Sequence, residues 1–191
     1  MKKTGWIIIG VIAILLVMFV STFIGTFNSL QMMDENVNAK WAQVENQLKR
    51  RNDLIPNLVA TVKGYATHEK EVFSNIAEAR SKLGGAINKD NMKDIQQSNN
   101  ELNSALSRLL LVVERYPELK ADKQFINLQD ELAGTENRIS VARMDYNQSV
   151  QAINSRIRLF PTSIVASIIG IKSRDYFEVD EAEKKVPEVK F

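Results

Sequence analysis

The sequence predicts an all-α protein: a single N-terminal transmembrane helix followed by an antiparallel up-and-down helical bundle. Three observations carry this. The chain opens on one uncharged apolar run. Beyond it, apolar residues recur at alternating steps of three and four. Only 8 Gly and 4 Pro interrupt 191 residues otherwise rich in Asn, Gln, Leu, Ala, Glu and Lys, a composition that favours helix over sheet.

The apolar run is WIIIGVIAILLVMFVSTFIGTF, from Trp6 to Phe27. At ~1.5 Å per residue it reaches just over ~30 Å, the thickness of a bilayer core. Lys2 and Lys3 precede it, and Trp6 opens it, where an amphipathic ring suits the headgroup level. A cleaved signal peptide is the alternative, but its apolar region is only ~7–15 residues, followed by a small-residue cleavage site. This run is longer, and no A-x-A pattern follows it. The absence of cysteine excludes a lipid-modified Cys. Asp34, Glu35, Lys40 and Glu45 bring no basic excess to the far side, so the positive-inside rule puts the N-terminus in the cytoplasm and the bundle outside it. Lys49, Arg50 and Arg51 argue the other way from further along. The expected location is a membrane, crossed once.

Four apolar stripes follow. Val37, Trp41, Val44 and Leu48 form the first. Asn52 or Asp53 is placed to cap a second helix, with Pro56 in its first turn, where proline is tolerated. Its stripe is Ile55, Leu58, Val62, Tyr65, Glu69, Val72, Ile76, Ala79 and Leu83, ended by Gly84-Gly85. The third runs Ile95, Asn99, Leu102, Leu106, Leu109, Val113 and Tyr116, ended by Pro117. The fourth runs Phe125, Leu128, Leu132, Thr135, Ile139, Ala142, Tyr146, Val150, Ile153, Ile157 and Phe160, closed by Pro161. One-sided helices joined by short turns need each other's faces, which is the logic of a bundle. If Pro56 only kinks one long helix running to Leu83, the bundle has three helices rather than four.

Thr162–Ile171, TSIVASIIGI, is uncharged and too short to span. Arg156, Arg158, Lys172 and Arg174 flank it. With Ile164, Ile168 and Ile169 these basic residues form a candidate membrane-proximal contact; the alternative is a cap on the bundle's open end. The division by sequence is therefore 1–5, a short basic N-terminus; 6–27, the anchor; 28–161, the bundle; 162–171, the apolar segment; and 172–191, a charged tail, expected to be mobile from Asp175 onward.

Chemistry is sparse. Without Lys2 and Lys3 the chain has 23 basic and 23 acidic residues (25 − 2 against 23), a neutral balance that is poor material for a nucleic-acid binder, which normally needs a basic face. One histidine and no cysteine give too few ligands for a zinc or di-iron site. His68-Glu69 begins like H-E-x-x-H, but Val72 stands at the second ligand position. Gly170-Ile171-Lys172-Ser173 lacks the Gly-Lys pair of a phosphate loop. Asn147-Gln148-Ser149 fits a glycosylation sequon inside the long helix, where it reads as chance. No catalytic residue, cofactor or metal site is expected. Glu69, Asn99 and Thr135 each interrupt an apolar stripe, with Arg138 near the last of them. They are expected to form a polar layer that fixes helix register; an enzyme built on Glu69 and Arg138 is the functional alternative.

Several segments resemble the LemA family. They are Asn52-Asp53-Leu54-Ile55-Pro56-Asn57-Leu58-Val59, Gly64-Tyr65-Ala66-Thr67-His68-Glu69, Ala79-Arg80, and Glu114-Arg115-Tyr116-Pro117-Glu118-Leu119-Lys120. Thr135-Glu136-Asn137-Arg138-Ile139, Ala142-Arg143, Tyr146-Asn147, Phe160-Pro161 and Tyr176-Phe177-Glu178 complete the set. Phe27-Asn28 stands where the family often has Tyr-Asn. The resemblance covers nearly the whole chain, in order. It implies a bacterial, single-pass, membrane-anchored helical bundle outside the lipid, in a family with no established enzymatic activity and so no catalytic residues to carry over.

The function expected is non-enzymatic: an envelope scaffold, held to membrane lipid by its anchor, that self-associates as a homo-oligomer or holds a membrane protein partner. The alternative is a sensory or adaptor module that binds an envelope ligand or an associated membrane protease or kinase.

Overall fold

The computed structural model describes residues 2–178, with side-chain surroundings from Gly5 onward. Among them are six helices: α1 (Lys2–Lys63), α2 (Lys70–Asn88), α3 (Met92–Val113), α4 (Pro117–Lys120), α5 (Lys123–Arg158) and α6 (Thr162–Ile169). No strand occurs among the described residues. The chain forms two compact units. One takes the chain up to Lys40 together with Tyr146–Tyr176; the other takes Trp41–Asp145 together with Phe177 onward. Helices α1 and α5 contribute residues to both.

The second unit is a bundle of four long helices: α1 from Trp41, then α2, α3 and α5 up to Asp145, with the short α4 in the last connection. Its core is the apolar stripes. Val44, Leu48, Ile55, Leu58 and Val62 of α1 are buried, as are Phe73, Ile76, Ala79, Leu83 and Ala86 of α2. Ile95, Leu102, Leu109, Val112 and Val113 of α3 join them, with Leu119, Phe125, Ile139 and Ala142.

The helix boundaries differ from the expected ones at two places. No helix begins at Asn52 or Asp53: α1 runs through both, and through Pro56, to Lys63. Nor does it continue to Leu83, since the chain turns at 64–69. An interior proline removes the N–H that would bond the carbonyl four residues back and normally costs ~3 kcal/mol. Here that carbonyl, Asn52 O, accepts from Arg80 Nε of α2 at 2.9 Å instead. A side chain from a neighbouring helix thus supplies the lost donor, and α1 continues. The second difference is at Gly84-Gly85, which lie inside α2. Each glycine costs a helix interior ~1 kcal/mol, but the neighbouring Leu83 and Ala86 are buried and hold the turn helical. α2 ends at Asn88 instead. Asp90 takes a left-handed backbone (φ 50°), and the Asn91 side chain caps α3 by accepting from Lys93 N and Asp94 N at 3.1 and 3.3 Å.

The first unit contains the apolar run. α1 carries a segment long and apolar enough to cross a membrane, with none of it buried inside the protein. Beyond it, Leu30 and Val37 of α1, Tyr146, Val150 and Ile153 of α5, and Val165 and Ala166 of α6 are buried.

Candidate functional site: an arginine cluster in the bundle and an apolar helix beside the span

The most concentrated buried polarity lies in the bundle. Arg51 is carried by α1 on the same side as Leu48 and Ile55, so the residue is only 7% exposed. Nη1 donates to Asn99 Oδ1 at 3.2 Å and Nη2 to Asn103 Oδ1 at 2.5 Å, both on α3. Glu136 of α5 brings Oε2 within 2.8 Å of Nη1. That contact is an ion pair without good N–H···O alignment, so Glu136 Oε2 is charge-neutralised but not hydrogen-bonded. Asn99 is fully buried, and its Nδ2 has no hydrogen-bond partner. One arginine therefore ties three helices. An open groove of about 390 Å³ adjoins it, lined by Leu58, Leu106, Leu110, Leu132 and Ala133.

The expected polar layer of Glu69, Asn99, Thr135 and Arg138 is thus redistributed. Asn99 and Thr135 are fully buried as expected. Thr135 Oγ1, however, donates to Glu131 O one turn back and accepts from Arg138 Nη2 at 3.1 Å, while Arg138 itself is exposed. Glu69 is not on a helix face. It precedes α2 in the 64–69 turn and accepts from Arg115 Nη2 at 2.8 Å across to the end of α3. Arg115 is 63% exposed, so this pair is a surface clasp worth under ~1 kcal/mol, not a buried pair. The residue that organises the layer, Arg51, was not anticipated. The available signal was its place one turn from Leu48 and Ile55 on the α1 stripe.

The turns at the Lys63 end of the bundle are pinned together. Tyr65 donates to Asp122 Oδ2 at 3.0 Å, and Asp122 Oδ1 caps α5 by accepting from Phe125 N at 2.8 Å. The Phe125 bond first, then the Tyr65 bond, hold the Asp122 carboxyl below its usual range, and the bond to Asp122 with its charge raises the Tyr65 phenol. In the turn after α2, Trp41 Nε1 donates to Asp90 Oδ1 at 2.8 Å. Burial, then the nearby Asp90 charge, raise the Glu45 carboxyl.

In the other unit, α6 has two faces. Thr162, Val165 and Ala166 are buried, and Val165 and Ala166 pack with Leu30, Phe23, Ile157, Ile169 and Ile171. Ile164 and Ile168 point away, 53% and 66% exposed, next to Leu159 and Phe160. Phe160 therefore leaves the α5 stripe on which the sequence placed it, because α5 stops at Arg158. Of the seven residues assigned to a membrane-proximal contact, Arg156, Arg158, Ile164, Ile168 and Lys172 are exposed. Ile169 turns inward. Arg174 is committed elsewhere: its guanidinium donates to Asp34 Oδ1 at 2.7 and 3.0 Å, and its backbone pairs with the Asn154 amide at 2.8 Å in both directions. The stretch from Asp175 to Glu178 is likewise no mobile tail. Tyr146 donates to Asp175 O at 2.9 Å, and Phe177 is buried, 4.6 Å from the Arg143 guanidinium. Residues 179–191 of the expected tail lie outside the described residues. Burial pushes the Tyr146 phenol up to about 12, with the Arg174 charge opposing and the Asp175 charge adding.

Segments singled out by motif thus meet in pairs: Asn52 with Arg80, Glu69 with Arg115, and Arg143 with Phe177. A family model described as the LemA family matches residues 40–191. The chain belongs to the LemA family. The match begins past the apolar run, so LemA membership rests on the helical region alone. Protein LemA of Metamycoplasma hominis is 26% identical to it, over 87% of this chain and 75% of that protein. Magnetosome protein MamQ 2 of Paramagnetospirillum magneticum is 26% identical, over 85% of this chain and 68% of its own length. Magnetosome protein MamQ of Magnetospirillum gryphiswaldense is similar at the same identity and coverage. Among the described residues, no group of three or more His, Cys, Asp or Glu is placed to hold a metal ion.

Proposed function

We propose that this LemA-family chain is a membrane-anchored, non-enzymatic scaffold that self-associates or holds a membrane protein partner. α1 crosses the membrane once, with the N-terminus cytoplasmic and the bundle on the other side. The observation that carries the anchoring is that an 18-residue stretch of the apolar run has no residue buried in the protein, with Phe19, Val17 and Met18 each more than 60% exposed. Only lipid or another chain can cover that surface. The non-enzymatic reading is supported by the use to which the polar side chains are put. The motif residues serve as partners for one another, and Arg51, the most buried cation described, is occupied by two amides and a carboxylate. Tethering in a plane raises effective concentration, so contacts too weak for solution can assemble there.

The leucine-lined groove beside Arg51 favours a second reading, an adaptor that seats a partner's apolar side chains. Extraction of the full-length protein in mild detergent, followed by identification of everything in the native-size particle, separates the two. A homo-oligomer supports the scaffold, and a different protein at fixed stoichiometry supports the adaptor. A strictly monomeric chain with no retained partner, in native lipid, refutes both. Orientation is read from a cysteine placed at the exposed Asn88. Modification by an impermeant reagent in intact cells is the expected result, and modification only after lysis reverses the topology.

A further inference from the structure

We propose that the outward face of α6, formed by Ile164 and Ile168 together with Phe160 of the preceding turn, lies in the headgroup–acyl boundary of the membrane that α1 spans. Arg156, Arg158 and Lys172 rest on its anionic headgroups. This rests on the anchoring reading above.

The geometry fixes the depth. α6 packs its inner face against Phe23 and Leu30. Phe23 lies within the uncharged run, four residues before its end at Phe27, and Leu30 lies just past it. Seven residues of helix cover ~10 Å, so α6 is held at the level where hydrocarbon gives way to headgroups. At that level of α1, Ile24 and Phe27 are 53% and 36% exposed, and the same lipid that covers them reaches the α6 face.

The composition agrees. A helix apolar on all sides is one that is covered on all sides. α6 has no charge, yet protein covers only one of its faces. Ile164 and Ile168 are spaced by four and so share the other, at 53% and 66% exposure, and Phe160 in the turn before the helix is 82% exposed. Two outward isoleucines on a short uncharged helix, with an exposed aromatic in the turn before it and exposed basic residues at both ends, fit a segment lying in the interface plane. The exposed Arg156, Arg158 and Lys172 are placed to meet phosphate. Arg174, bound to Asp34, takes no part.

The chain has no cysteine, so single sites can be labelled cleanly. Full-length I164C, I168C and V17C variants, each carrying a polarity-sensitive fluorophore, are placed in phosphatidylcholine vesicles with or without phosphatidylglycerol. Shallow doxyl-labelled lipid serves as quencher. The expected result is quenching and blue-shifted emission at positions 164 and 168, with position 17 in the bilayer interior. Quenching at 164 and 168 should weaken when phosphatidylglycerol is left out, and equally when R156Q, R158Q and K172Q are combined. If position 17 reports lipid while 164 and 168 report water, the proposal fails and the anchor stands. Blue-shifted emission at 164 and 168 that lipid quencher cannot reach assigns the face to a protein contact and also overturns it. If position 17 itself reports water, the anchor fails and this proposal with it. Quenching indifferent both to phosphatidylglycerol and to the three glutamines removes the headgroup contact.

Discussion

Replacing Arg80 should destabilise the protein, because its guanidinium bonds the Asn52 carbonyl that Pro56 leaves without a donor. Pro56 has no N–H, so the Asn52 carbonyl is left without its intrahelical donor, and Arg80 Nε fills the gap at 2.9 Å. Hydrogen bonds to charged groups contribute ~1.5–3 kcal/mol. Arg80 and Asn52 are both half-buried, so water can partly replace the bond, and the low end applies: Arg80→Leu should cost about 1.5 kcal/mol. For a chain of this size that is a fall in Tm of ~3–6 °C. The decisive test is a double-mutant cycle. Pro56→Ala restores an N–H to bond Asn52 O, so Arg80→Leu in that background should cost under ~0.5 kcal/mol, a coupling of about 1 kcal/mol. Thermal unfolding of the full-length protein in detergent, followed by far-ultraviolet circular dichroism, reads all four variants. If the two substitutions are additive within ~0.3–0.5 kcal/mol, Arg80 is not compensating for Pro56 and the account of why α1 passes through it is wrong.

Arg51→Met strips Asn99 Oδ1 of its donor in a fully buried site and should cost ~3 kcal/mol, whereas adding Asn99→Leu should recover part of that, because the fully buried amide is then gone while the partly buried Asn103 and Glu136 still lack Arg51; equilibrium denaturation measures both. Tyr146 holds its proton in the folded state up to about 12, against ~10 unfolded. Between those values the unfolded chain deprotonates first, so stability falls as pH rises through that window, and Tyr146→Phe should flatten the fall in alkaline melts. Asp122 titrates below its usual range, so its contribution is present above the unfolded carboxylate value and lost as pH falls through the folded one. Asp122→Ala should lower Tm at neutral pH and make the acid limb of the stability profile shallower, with a frayed start of α5 visible as faster amide exchange at Phe125.

Periodicity made most of the helices legible, because an apolar residue every three or four positions demands a covered face whatever its neighbours. The stripes of α1, α3 and α5 bury nearly the residues expected. Boundaries were less legible, since they depend on long-range partners. Nothing near Pro56 announces that Arg80 will satisfy Asn52 O, and nothing near Gly84-Gly85 shows that Leu83 and Ala86 are buried deeply enough to override two glycines. The polar layer failed for the same reason. Glu69 would be buried only if Tyr65 and Val72 lay on one continuous helix; because the chain turns at 64–69, it is a surface partner of Arg115. Arg51 was hidden by its type, since an arginine on a stripe normally extends to solvent. The α6 segment was legible as apolar but not as two-faced, because which isoleucines turn inward is decided by where α5 stops.

The Arg174–Asp34 bond joins residues 140 positions apart. Asp34 leaves the ribosome soon after the apolar run; Arg174 follows only when nearly all of the described chain has been made. At ~5–20 residues per second, the wait is on the order of ten seconds. During it, Leu30 and Phe23 have no α6 to cover them, and Asp34 has no guanidinium. The stretch just past the apolar run is therefore finished late, and its completion depends on a residue 140 positions further on. A nascent chain halted before α6 would carry an inserted anchor with a bare apolar collar just above it, a ready mark for any quality-control protease that inspects membrane proteins for unfinished work.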